Sequence, residues 1–153
     1  SLQNMAETLG TLSDKLTTVK LKQWHTEDAD RLASLSQQEK QLQQEIDEYI
    51  AAAVAGDTPL EKLTFAANKV YKKEGNETRE ISGSLGQMFS ALAETNTKLW
   101  HVQETVYDFE KIPADEKDGV IRELAVVNLE RNNCIDELDR KFQSIIKSLH
   151  QPA

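Results

Sequence analysis

Apolar side chains recur at spacings of three and four along almost the whole chain, and the alternation of a half-buried strand is nowhere sustained. The clearest run is Ile81, Leu85, Met88, Leu92, Thr95, Leu99, Val102, Val106 and Phe109, a 3.5-residue seam over four heptads. A second seam passes through Ile121, Leu124, Asn128, Arg131, Ile135, Leu138, Phe142, Ile145 and Leu149. Between them lies EKIPADEKDG, where Pro113 and dense charge mark a turn, so the two seams predict a helical hairpin. Upstream, Met5, Leu9, Leu12, Leu16 and Val19 form one seam and Leu35, Leu42, Ile46, Tyr49 and Ala53 another. A turn at 33–36 is expected between these two, because a single rod of about 45 residues would run to roughly 67 Å, longer than the remaining chain covers.

The stretch DTPLEKL predicts a connector helix over 58–74, with Thr58 as cap, Pro59 at the first helical position and Glu61 closing a capping box. Gly75 is its expected stop, and Asn76 the cap of the next helix. The expectation is an all-α, up-and-down bundle of about five helices in a single domain over 1–153.

The two hairpins look like copies of each other, over 5–55 and 77–149. A shift of 76 positions pairs Met5 with Ile81, Leu9 with Leu85, Gly10 with Gly86, Leu16 with Leu92, Trp24 with Trp100 and His25 with His101. A shift of 89 then pairs Leu35 with Leu124, Ile46 with Ile135 and Asp47 with Asp136. Both tryptophans of the chain, and two of its three histidines, therefore fall in one repeated Trp-His element.

Charge and cysteine content narrow the classes of function. With 26 acidic and 18 basic residues the formal charge is −8, which repels nucleic acid and anionic lipid headgroups. Cys134 is the one cysteine and has no internal disulfide partner, so a reducing compartment and a core thiol are expected. No apolar stretch is long enough to span a bilayer and the N-terminal residues lack a signal pattern, so the expected location is cytoplasmic, without membrane insertion. The polar stretch LSQQEKQLQQEIDEY has only a narrow apolar stripe, which suits a helix that protrudes or pairs with a second subunit. A homo-oligomer or another protein is thus the expected class of partner.

The seams also place candidate chemistry. Asn128 and Arg131 stand where apolar residues belong, and a buried guanidinium needs an acid, with Glu104 the first candidate and Asp139 and Glu94 behind it. In the first hairpin His25, Glu27 and Asp28 are expected to face Glu39, so that each hairpin carries a polar belt.

The order TPLEKLT…KVY, NTKLWHVQE, NLERNNCIDELD resembles a bacterial helical family catalogued as domain of unknown function 4254, over roughly 58–139. Its pattern of Asn, Leu-Trp-His with acids, and a later Asn-Gln-x-Arg-Asn-Asp followed by Ile-Asp falls here on Asn96, Trp100, His101, Glu104, Asn128, Arg131, Asn132 and Asp139. Leu129, Asn133 and Gln103 depart from it. The resemblance implies a helical bundle and a link to bacterial envelope or glycan genes, and implies no reaction.

Four readings of the repeated element follow. The first is structural: Trp24 and Trp100 anchor the core edge, the histidines bond locally, and the belt of Asn96, Asn128, Arg131 and Asn132 fixes helix register, which makes the chain a non-enzymatic binding or scaffold protein without a cofactor. The second is a divalent metal or ligand site from His25 with Asp28 and His101 with Glu104, each pair at i, i+3 on one helix face. The third is an anion or sugar site with Arg131 as fork and Trp100 as stacking surface. The fourth, a magnesium-dependent nucleotide pyrophosphatase, has one acidic pair in Glu45 and Glu48 but lacks the Glu-x-x-Asp that should follow. Cys134 lacks a neighbouring histidine for nucleophilic work, and His150 reads as incidental.

Overall fold

A computed structural model describes residues 7–65 and 81–151. Among the described residues there are four α-helices and no strand: α1 (Leu9–Trp24), α2 (Ala29–Ala55), α3 (Leu85–Tyr107) and α4 (Lys117–Leu149). Short 3-10 turns lie at Leu60–Lys62 and Phe109–Lys111. None of these helices is long and apolar enough to cross a membrane.

Local chemistry explains where α1 and α3 begin. Thr8 caps α1 in a reciprocal box with Thr11, and Ser84 caps α3 in the same way with Gln87, so the amides of each first turn are satisfied. Asp28 caps α2 by accepting from the amides of Asp30 at 2.9 Å and Arg31 at 3.1 Å. That cap corrects the expected turn at 33–36. The chain breaks at 25–28, and Leu35 is buried inside a continuous 27-residue helix. The rod is avoided as anticipated, but at the earlier site, where the aspartate offers an acceptor to two free amides. Gly56 ends α2 at φ 82°, the left-handed conformation glycine adopts without a Cβ penalty.

The connector expected over 58–74 is also corrected in its described part. Only Leu60–Lys62 is helical, as one 3-10 turn behind Pro59, and no side chain caps it. Leu63 is driven into the core, and the Leu60 carbonyl accepts both from the Leu63 N–H at 3.1 Å, which closes the 3-10 turn, and from Gln143 Nε2 of α4 at 2.8 Å. Residues 66–74, and the expected boundary at Gly75 and Asn76, lie outside the described residues.

Long-range contacts fix the topology. Asn96 of α3 donates to Asp14 of α1, and further along both helices His25 meets Trp100, so α1 and α3 run in the same direction. Residues in α2 and α4 return against them: Glu39 reaches Lys20 and Gln23, and Cys134 faces Thr95. The main core joins Leu9, Leu63, Met88, Leu92, Leu138, Phe142 and Ile146, with Tyr49 and Ile50 of α2 packed against it. A smaller cluster of Leu99, Val102 and Val127, with Leu124 beside it, lies within the α3–α4 hairpin alone.

The α3 seam is buried as expected at Met88, Leu92, Thr95, Leu99 and Val102. The α4 seam is buried only in part: Ile135, Leu138 and Phe142 are buried as expected, Ile121, Ile145 and Leu149 are exposed, and Val127, Glu130, Cys134 and Ile146 beside it are buried. A straight helix drifts by about 20° per heptad against a strict seven-residue repeat, and over 33 residues that drift moves the buried face by nearly a full position. Asn128 and Arg131 consequently flank the seam, half-buried, instead of occupying it.

Tyr49 illustrates the cost of the main core. Its hydroxyl is buried without a hydrogen-bond partner, and burial, reinforced by the Asp139 carboxylate, pushes its pKa up to about 12; the nearby Leu9 backbone pulls the other way but lies outside hydrogen-bond geometry. Because the folded chain holds this proton more tightly than an unfolded tyrosine with a pKa of about 10, the associated stability is present below that pH and is lost as pH rises toward 12. Tyr49→Phe is expected to move the alkaline unfolding midpoint upward at little cost at neutral pH, since the hydroxyl it removes is unsatisfied. Circular dichroism from pH 8 to 12 on both proteins checks this.

Candidate functional site

The elements that sequence repeats are not used alike in three dimensions. His25 closes the C-terminus of α1: its backbone N–H bonds Leu21 and Gln23 carbonyls, and its ring Nδ1–H donates to the Leu21 carbonyl at 2.7 Å. That fixes the tautomer and turns the ring onto α3, where it stacks on Trp100 at 4.5 Å between centroids and 22° between planes. Its Nε2 lies 4.0 Å from a Glu104 carboxylate oxygen. The histidine of the first hairpin thus meets the tryptophan and the acid of the second.

The other halves of the repeat do not join them. Trp24 is 85 % exposed, which corrects its expected role as a core-edge anchor. It is the last residue of α1, where the helix has no further cover. His101 is exposed and lines a small cleft of about 120 Å³ between α3 and α4 with Val102, Thr105, Val120 and Glu123. Asp28 is occupied as the α2 cap. Of the four expected metal ligands, the structure therefore brings His25 and Glu104 together and leaves Asp28 and His101 apart. Among the described residues no three His, Cys, Asp or Glu side chains converge as a metal-binding group.

The expected belt is divided in the same way. Asn96 is buried and donates to Asp14 Oδ1 at 2.9 Å, tying α3 to α1. Asn128 donates at 3.1 Å to the Leu124 carbonyl of its own helix, and Asn132 is half-buried on α4. Arg131 has no ion pair among the described residues, and its Nε is buried without an acceptor; Glu104, its expected partner, faces His25. Trp100 Nε1 is likewise buried without an acceptor. Glu39 does not face the His25 loop. It accepts from Gln23 at 3.0 Å and Lys20 at 3.1 Å, and these two donors hold its carboxyl below its ordinary range. Glu45 and Glu48 are exposed, with Glu48 accepting from Gln44 at 2.9 Å.

Two contacts were not anticipated. Asp139 is buried on α4, and its Oδ1 accepts from the Gly10 amide at 2.7 Å, which places a carboxylate at the start of α1 where helix partial charge is positive. Gly10 permits it: a Cβ there would come 2.6 Å from the Ile135 carbonyl oxygen and 2.9 Å from Asp139 Oδ1. The signal was a glycine inside a helical pattern, which costs helix propensity and so points to a packing reason. His150, expected to be incidental, lies with its Nε2 3.4 Å from the Ala53 carbonyl at the end of α2.

The geometry defines an all-helical bundle whose hairpins share one apolar core and are tied further by a few polar and aromatic contacts. Comparison with models of protein families, with curated proteins and with solved structures finds no match to this chain.

Proposed function

We propose that this chain is a non-enzymatic binding or scaffold protein in which the repeated Trp-His element and its polar neighbours hold helices in register. The observation that carries this reading is the fate of the polar side chains: Asp28 caps α2, Asn96 bonds Asp14, Asp139 bonds Gly10, and His25 is both capped to Leu21 and stacked on Trp100. Each is spent on positioning a helix. The two hairpins are read as copies of one unit, and in support, the α1 capping pair Thr8 and Thr11 falls on the α3 pair Ser84 and Gln87 at the shift of 76. Kinship with the bacterial family named above, a cytoplasmic location and self-association through α2 belong to the same proposal.

A second reading, a metal or small-ligand site in a protein of envelope or glycan metabolism, draws support from the buried Nε1 of Trp100 and Nε of Arg131, donors to which a ligand could offer acceptors.

The two histidines discriminate. His25→Ala is expected to cost about 1 kcal/mol through loss of the stack and the capping bond, or about 3 °C in Tm for a domain of this size. His101→Ala, at an exposed position, is expected to stay within about 0.5 kcal/mol. Thermal unfolding of the two variants checks both; equal losses would contradict the asymmetric use of the repeat.

A further inference from the structure

We infer that the tip of the α3–α4 hairpin docks a basic, amphipathic helical segment of a partner protein, an inference that rests on the binding-scaffold reading. Tyr107, the last residue of α3, is 91 % exposed and stands between two adjoining depressions of about 360 Å³ each. One is lined by Gln103, Val106 and Leu124, the other by the Asp108–Lys111 turn. Ile121, one turn before Leu124, is also exposed and continues the apolar strip. The first hairpin does not cover it, because α1 ends at Trp24 and its His25 reaches only as far as Glu104. The α-helical part of the strip, Gln103 to Tyr107, is about 6 Å long, room for about one turn of a helix laid along it.

Charge selects the occupant. Between His101 and Leu124 the chain carries seven acidic and three basic side chains. Two of the three bases are engaged, Lys111 with Asp108 at 3.9 Å and Lys117 over the Phe109 ring at 4.9 Å. Glu110, which lines the second depression, and Asp115, Glu116 and Asp118 after it have no ion pair among the described residues. A second copy of this chain docking through the same acidic tip would bring like charge against like. A segment with Lys or Arg on one face and apolar anchors at three-and-four spacing matches both the strip and its rim.

The test is a selection from displayed random 16-residue peptides on the whole protein, repeated on Tyr107→Ser and on Glu110→Lys, whose folds are checked by circular dichroism. The expected result is enrichment of net-basic peptides with apolar residues at three-and-four spacing. Their binding should weaken at least tenfold on Tyr107→Ser and fall on Glu110→Lys and with added salt. Enrichment of acidic or neutral peptides, no enrichment, or equal binding to Tyr107→Ser overturns the inference. So does self-association by sedimentation that Tyr107→Ser abolishes, which would assign the face to a second copy. Failure here leaves the scaffold reading standing; that reading fails separately, if a metal or small molecule stabilises the protein through His25 and Glu104.

Discussion

Gly10→Ala is expected to destabilise the protein by about 3 kcal/mol, and Gly86→Ala, its counterpart at the shift of 76, to stabilise it by about 0.5 kcal/mol. Both glycines occupy the second position of a capped helix, so intrinsic propensity favours alanine at each. Packing decides the sign. At Gly10 the added carbon would press on the Ile135 carbonyl oxygen at 2.6 Å and Ile135 Cγ2 at 2.9 Å, and a backbone oxygen held in α4 cannot move without shifting the helix. At Gly86 nothing lies within 4 Å. Urea unfolding with unchanged slope would report the two differences directly. Equal effects would mean that α1 does not approach α4 as closely as described.

Asp139→Ala is expected to cost about 3 kcal/mol. The substitution strands the buried Gly10 amide and removes a negative charge from the start of α1. Asp139→Asn keeps an acceptor and should lose less. Because Gly10 and Asp139 share one contact, the double variant Gly10→Ala/Asp139→Ala is expected to lose clearly less than the sum of the single losses. Additive losses in a urea double-mutant cycle would show that the two residues act separately.

These two residues also mark the boundary of what the chain reveals before folding. Helical class and the apolar faces of α1 and α3 follow from spacing, because burial along one face repeats at the helical period, and the hairpin turn follows from Pro113 and the dense charge around it. The α4 face follows only in its middle, at Ile135, Leu138 and Phe142, since a drift of about 10° per turn is invisible in a short window yet moves Asn128 and Arg131 off the seam in a helix of 33 residues. The break between α1 and α2 was legible in Asp28, which the spacing to His25 also offered as a metal ligand; one side chain could serve either purpose, and the free amides of α2 claimed it. Trp100 and Glu104 were singled out by the repeated element and Asn96 by the family resemblance, but their partners Asp14 and His25 lie at another helix, and sequence spacing carries no information about that pairing. The repeat misled in one respect. Equal residues at equal spacing suggested equal environments, whereas Trp24 is exposed and Trp100 is packed under His25.

The most direct test of the central claim, that the His25–Trp100–Glu104 contact joins the hairpins and is not a ligand site, is thermal unfolding of the chelator-stripped protein against divalent metals, phosphosugars and nucleotides. A ligand bound at one hundred times its Kd adds about 2.7 kcal/mol, a rise of several degrees in Tm. The account predicts no rise beyond about 1 °C with any of them, while His25→Ala and Glu104→Ala each lower the Tm of the protein alone. A rise of several degrees that disappears in both variants would contradict it.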